Sequence, residues 1–383
     1  MDRACYDDEV AFLRRHVEVI ELGCTPGGAR VAVVPRWQGR VATSSAGGPD
    51  DQSYGWLNHE LIAAGEIRPH MNAYGGEDRF WMGPEGGQFA IFFAPGDPFD
   101  LEHWQTPAAI DTEPYAVVLR GERHVEFQHE TTLTNWSGAR FDVRIDRRID
   151  LIGVHVPDAV RAVAFESVNT ITNVGLEPWT HEGGLLSIWT VGMFEPTPAT
   201  TVVIPYVRGP VEELGPVVND AYFGKVPAER LVAGGCALFF RADGLRRGKI
   251  GLTPRRARPV LGSYDASRSL LTIVRYDLPS DAREYVNSMW ELQEQPFSGD
   301  AINSYNDGPP GPGAKPLGPF YELETSSPAA ALVPGGSLTH RHRTVHHQGP
   351  PDLLAPIARA ELGVSIEEIS LAFARPRGGA SRR

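Results

Sequence analysis

HVEFQHETTLTNWSGARFDVRIDRRIDL, residues 124–151, is the stretch on which the reading of the fold turns. Two runs in it, 124–133 and 141–151, alternate apolar with polar residues. Successive side chains of a strand point to opposite faces, so this alternation marks two strands with one face buried. Asn135-Trp136-Ser137-Gly138 lies between them as a hairpin turn. Similar signals recur outward in both directions. Upstream, 17–22, 29–35 and 39–45 are short β-rich runs, split by Thr25-Pro26-Gly27-Gly28 and by Arg36-Trp37-Gln38, and suggest an opening meander. Strand signals follow at 115–119, 160–172, 185–193, 201–207, 236–241 and 270–276. Many short strands with regular turns imply a β-sandwich or barrel.

Helical signals are few. Residues 7–17 carry acids at the start and Val10, Leu13 and Val17 at helical spacing. Residues 56–64 read as one short helix. The C-terminal stretch 352–373 reads as helical: 352–362 ends at Gly363 as a C-cap. A second helix then starts at Ser365, with Glu368 completing a capping box and Val364 and Ile369 a hydrophobic staple. Residues 376–383 read as a frayed tail. No repeat or low-complexity linker divides the chain, so residues 1–375 are expected to form one domain.

Among 383 residues, the 41 glycines and 32 prolines are spread between apolar runs, which indicates turns rather than disorder. A net charge of -12 argues against a nucleic-acid partner. The basic runs Arg246-Arg247-Gly248-Lys249 and Arg255-Arg256-Ala257-Arg258 read as solvated loops. Three cysteines, Cys5, Cys24 and Cys236, form neither a disulfide framework nor a zinc pattern. No apolar run approaches the ~20 residues of a membrane span. A soluble cytoplasmic protein with no membrane partner is expected.

Four segments carry candidate chemistry. Residues 72–93, NAYGGEDRFWMGPEGGQFAIFF, place turn glycines, charges and an aromatic before a strand-like run at 89–93, as a binding loop does. Arg79 can grip a carboxylate or vicinal hydroxyls. Glu77, Asp78 and Glu85 can accept from hydroxyls or move protons. Trp81 can stack on a sugar ring. The alternative is that Asp78 and Arg79 pair with each other and Trp81 belongs to the core. His70 precedes the segment and either faces the same site or is structural.

The second segment, 299–331, crowds Asn303, Tyr305, Asn306 and Asp307 before a Pro/Gly-rich loop at 309–317. Its strand Tyr321-Glu322-Leu323-Glu324 puts Glu322 and Glu324 on one face, either as exposed polar groups or with one of them a general base. In the third, THRHRTVHH at 339–347, His340, His342 and His346 alternate onto one strand face. That face is half-exposed, or contacts substrate, or holds a metal through His340 and His342. The fourth, 177–189, places His181-Glu182 at Gly183-Gly184, either a turn or an acid/base pair. No phosphate loop, dinucleotide fingerprint, nucleophile elbow or zinc-protease motif is present, and no cofactor is expected.

At these residues the chain resembles a known family. QGRVATSS, GGEDRFWMGPEGGQFAIFF, GDAINSYNDGP and FYELETSSPAAALVPGGSLTHRHRTVHH resemble an uncharacterised group of bacterial proteins related to galactose mutarotase. The resemblance spans residues 31–373. It implies a galactose-mutarotase-like β-supersandwich of large antiparallel sheets, a fold shared with aldose 1-epimerases, polysaccharide lyase domains and some glycoside hydrolases. Mutarotases use a late-strand glutamate as base and a histidine as acid. Leu323-Glu324-Thr325-Ser326 is similar to the base segment without its glutamine, which makes Glu324 the candidate base. The histidine segment that follows a Thr-Asn-x-Gly turn is not matched. Thr172-Asn173-Val174-Gly175 is present, but residues 187–194 hold no histidine. His70, His181 or the His340/His342 pair would take the acid's place.

The expectation is therefore a carbohydrate-active protein with mutarotase-like or epimerase-like chemistry on a small-molecule or oligosaccharide ligand. Glu324 would be the base and His70 or His181 the acid. Arg79, Trp81, Glu85, Asp78, Asn306, Asp307, Tyr305 and Glu322 would bind substrate. A lyase or hydrolase on the same fold, or a non-catalytic sugar-binding protein, stands as the alternative.

Overall fold

The computed structural model describes residues 5–23, 28–48, 51–311 and 313–374. Cys24, Thr25, Pro26 and Gly27 of the first expected turn, and the tail 376–383, lie outside the described residues.

The alternating pair forms as read. Strands His124–Thr134 and Arg140–Ile152 pair antiparallel around the 135–139 turn. Phe141, Val143, Ile145, Ile149 and Leu151 point into the core. Arg147 sits in the same inward row and is buried, which the alternation alone did not single out.

These two strands belong to a ten-stranded antiparallel sheet. Its centre is Ser337–Gln348 between Leu270–Tyr276 and Arg161–Asn173. A five-stranded sheet faces it, in the order Gly248–Leu252, Ile302–Asn306, Tyr321–Ser326, Ser187–Phe194, Arg79–Gly83. Phe80, Met82 and Ile188 of the smaller sheet pack with Ile145, Phe165 and Ile171 of the larger. The opening meander is a third sheet, Ile20–Leu22, Arg30–Val34 and Arg40–Ser45.

Besides Arg79–Gly83, four strands had no sequence signal strong enough to name them: Leu231–Ala233, Gly248–Leu252, Val260–Asp265 and Ile302–Asn306. The expected strand at 89–93 does not form. Gly87, at φ 83, turns the chain, and Ile91 N–H donates to the Pro84 carbonyl at 3.1 Å. Residues 90–93 are still buried, as an aromatic-rich loop packed on the core. The strand of that segment is instead Arg79–Gly83.

The helices are shorter than expected at the N-terminal end, Tyr6–Arg14 and His59–Ala64. Trp56, assigned to the second of them, packs against Phe320 at 4.7 Å. At the C-terminal end Pro351–Leu362 stops at Gly363 with φ 72, and Ile366–Leu371 carries the Ser365/Glu368 capping box. Among the described residues no helix is long and apolar enough to cross a membrane.

A polar layer crosses the core between the sheets. Arg147 pairs with Asp78 at 2.6 Å and reaches Asn169 at 2.5 Å. His346 binds Glu77 at 2.7 Å and Thr272 at 2.9 Å. His340 and His342 both hydrogen-bond Thr325 Oγ1, each at 2.9 Å. The three histidines share a face as expected, but that face is fully buried rather than half-exposed. Burial pushes His340 down to about 3, with His342 adding to it, and pushes His342 down to about 4 against the pull of Asp78, with Arg147 adding to the fall.

Candidate functional site

The register of the five-stranded sheet sorts its residues onto two faces. Directly paired residues share a face, and the pairs Asn303↔Glu324, Glu324↔Val191, Arg79↔Val191 and Lys249↔Tyr305 set the outer one. Stepping by two along each strand adds Glu322, Trp189 and Trp81. Leu323, Tyr321 and Ile250 point inward to the apolar core. The two glutamates thus share a face, and Glu324 on it is buried rather than solvated.

Lys249 is the centre of this face. Its Nζ donates to Glu324 Oε2 at 3.0 Å, and the Trp189 indole N–H donates to the same oxygen at 2.9 Å. The ammonium lies 4.8 Å from the Trp189 ring and 5.4 Å from the Tyr222 ring, within cation–π range. Burial opposes its charge, but Glu324, Glu85 and Glu322 outweigh it and raise the lysine's pKa. Glu324 Oε1 is buried with no hydrogen-bond partner among the described residues.

Two carboxyls beside Lys249 are held near neutrality. Asp300 is buried and pushed up to about 6, against the pull of Tyr222 and Asn219. Tyr222 Oη–H at 2.8 Å and Asn219 Nδ2–H at 3.0 Å both donate to its Oδ2. Half-buried Glu85 is pushed up to about 7, first by burial, with Lys249 working against it and Glu324 adding to it. Glu322 is raised further, by burial and by Glu324. Burial is the main physical cause in all three, and for Glu85 and Glu322 the neighbouring Glu324 carboxylate adds to it.

Lys249, Asp300, Asn303, Tyr222, Trp189 and Ser326 line one pocket, with Gly83, Ser187, Val286 and Ser288 closing it. Its empty volume is about 330 Å³, with free room for about one water. Gly251 has a steric reason to be glycine here. A Cβ would lie 2.1 Å from Asp300 Oδ2 and 2.5 Å from Asn303 Nδ2.

The structure brings together only part of the expected site. Glu322, Glu324 and Glu85 are in the cluster. Arg79 is on the same face and feels Glu322, but its guanidinium is buried and committed to Asp111 at 2.8 Å. Asp78 pairs with Arg147, not with Arg79. Trp81 is a core residue, with Arg79 4.1 Å from its ring centroid and Trp189 edge-on at 4.9 Å. No face of it is open to stack on a sugar.

Asn306 lies three residues beyond Asn303 and so points inward, bonded to Gly244 N–H and the Arg246 carbonyl. Asp307 accepts from Tyr305 and from Gly318 N–H. All three tie down a loop. His70 binds the Trp104 carbonyl at 2.5 Å, and His181 pairs with Glu284 at 2.9 Å near the surface. Neither shares a hydrogen bond or ion pair with Glu324, and neither lines the Lys249 pocket. His340 and His342 are turned onto Thr325, and no group of three or more metal-binding side chains is placed to hold an ion among the described residues.

The two basic runs are solvated only in part: Arg246, Arg255 and Arg258 are exposed. Lys249 and Arg256 are both buried, and Arg256 donates to the carbonyls of Val207, Gly209 and Gly215. Lys249, Asp300, Tyr222 and Trp189 escaped the sequence reading. One available signal was the alternation of Lys249 with Ile250 and Leu252, too short by itself to mark a strand. A second was Asp300 inside GDAINSYNDGP.

The family model described as "Family of unknown function (DUF6786)" matches residues 4–373. The chain belongs to that family. No curated protein matches the sequence. Solved structures do match the fold of this DUF6786 chain. A protein of Escherichia coli K12, described as a "Putative aldose 1-epimerase", is 12% identical with a TM-score of 0.53, covering 87% of this chain and 99% of its own. The galactose mutarotase-like protein of Lactobacillus casei ATCC 334 is 10% identical with a TM-score of 0.50, covering 86% and 100%. Slr1438 of Synechocystis sp. PCC 6803 is 13% identical with a TM-score of 0.52, covering 87% and 96%. The fold is therefore galactose-mutarotase-like, mostly β with large antiparallel sheets and a few short helices. At these identities the likeness carries the fold and not the chemistry.

Proposed function

We propose that this protein catalyses proton transfer at the anomeric centre of a sugar, as a mutarotase-type or epimerase-type isomerase. The observation that carries the reading is Asp300, a pocket-lining carboxyl held at about 6 beside the buried Lys249–Glu324 pair. A base poised near the working pH transfers protons most effectively. Asp300 takes the proton from the anomeric hydroxyl. The C1–O5 bond breaks, its electron pair stays on the ring oxygen, and that oxygen receives a proton from the Lys249 ammonium. Ring closure by the reverse steps yields either anomer.

Glu324, the base expected from the resemblance, becomes a positioning residue in this scheme. It is closed off from the pocket and holds the ammonium through Oε2. Trp189 supplies the aromatic surface expected of Trp81. The pocket holds about one water, so binding a sugar ring in this scheme requires the Tyr222 edge or the 285–300 wall to move outward.

Proton-exchange NMR on a panel of free and acidic aldoses tests the proposal. Anomer interconversion should exceed buffer, rise with pH through about 6 as Asp300 ionises, and fall by roughly 10²-fold or more in Asp300→Asn. Rates that never exceed buffer, or a variant as active as the wild type, would sink it.

A further inference from the structure

A second pocket opens on the other side of the Tyr222–Phe223 edge. It has an empty volume of about 780 Å³ and is lined by Lys225, Arg230, Arg246 and Arg247, with no carboxylate in its wall. In a chain of net charge -12 this is a local concentration of positive charge. The four cations differ in how far they are neutralised. Arg230 is satisfied by two bonds to Asp243, at 2.5 and 3.0 Å. Arg246 has only a distant Glu229, at 3.7 Å and near the surface.

Arg247 has no hydrogen-bond or ion-pair partner among the described residues, and its Nε is buried. Its guanidinium is held 3.7 Å from the centroid of the Phe223 ring. Lys225 is exposed and also unpaired among the described residues. A half-buried guanidinium left without an anion, and already oriented by an aromatic ring, is prepared for bidentate recognition of a phosphate or carboxylate.

This pocket adjoins the acid cluster. Arg247 immediately precedes the strand that carries Lys249 and lies two residues from it, roughly 7 Å along the chain. Arg247 also exerts its charge on Glu85 and on Tyr305 of the outer face. We propose that the Arg246/Arg247/Lys225 pocket receives the anionic group of the ligand, so that the substrate is an acidic sugar. Its phosphate or carboxylate projects from the end of the molecule away from the anomeric carbon. The substrate class rests on the sugar reading above; the anion pocket stands on its own geometry.

Titration calorimetry at fixed ionic strength separates the two. The probes are D-glucose, D-glucuronate, glucose 6-phosphate and inorganic phosphate. At least one acidic sugar should bind roughly tenfold or more tightly than glucose, and Arg247→Gln should remove that advantage without changing the affinity for glucose. Which acidic sugar wins identifies the anion. Arg246→Gln, a surface substitution that leaves the fold intact, should weaken the same binding by a smaller factor. If inorganic phosphate binds, and is lost in Arg247→Gln while no sugar binds, the anion pocket holds and the sugar reading falls. Glucose binding as tightly as both acidic sugars, affinity unchanged in Arg247→Gln, or no heat from any of the four probes overturns the proposal.

Discussion

Lys249 shows how much one side chain decides. It is the buried counter-charge to Glu324, and removing it leaves a carboxylate stranded in the protein. Lys249→Met should therefore cost about 3–5 kcal/mol in urea denaturation. Adding Glu324→Gln should recover part of the loss, because the stranded charge is gone. A double-mutant cycle reads the coupling directly. If the single variant is as stable as the wild type, the pair is not formed in solution. Arg79, the most conspicuous charge of the GGEDRFW segment, has the reverse character. Its charge is held by Asp111, and its place is structural.

The strand Gly248–Leu252 is short and lies at the edge of its sheet. Even so it delivers Lys249 to the pocket, and Gly251 makes room for Asp300. Gly251→Ala would press a methyl group into the Asp300 carboxylate. The expected result is a destabilisation of about 1–3 kcal/mol, with loss of anomer interconversion through displacement of Asp300. Thermal unfolding and the NMR assay check the two parts. By contrast, the last helix depends on a local device. Ser365→Ala removes one half of a formed capping box and should cost about 1 kcal/mol with no effect on the pocket. Such caps were legible in the sequence, because the spacing of Ser365 and Glu368 is itself the geometry. The strand carrying Lys249 was not. Five residues with two glycines show too little alternation, and the arginines before it suggested solvent.

For the molecule as a whole, the polar layer between the sheets links stability to pH. His342 is buried and its folded pKa is lowered to about 4, below the roughly 6.5 of an unfolded chain. The unfolded state therefore binds more protons between these values. The histidine's contribution is complete above about 6.5 and is lost as the pH falls toward 4. Between pH 6.5 and 5 the loss is about 1.6 kcal/mol. His340 and His347, lowered to about 3 and about 4, act in the same direction. Asp300, raised to about 6, acts in the opposite one. His342→Gln should flatten the fall in urea stability between pH 6.5 and 5. A variant with the same pH dependence as the wild type would show that His342 is not buried neutral.

The two-residue alternation of 124–151, the run of turns and the caps at the C-terminus were enough to specify a mostly β chain of paired antiparallel strands. Periodicity reports which residues share a face, and it did so correctly for Glu322 and Glu324 and for His340, His342 and His346. It does not report whether that face is covered, or by what. Coverage came from segments far apart in the chain: Thr325 against the histidines, Arg147 against Asp78, and the Tyr222 and Trp189 rings against Lys249. Burial, and with it every shifted carboxyl of the candidate site, is a property of those long-range neighbours. Tertiary packing alone therefore turned an apparently solvated lysine into the centre of a pocket, and an apparent sugar-stacking tryptophan into core.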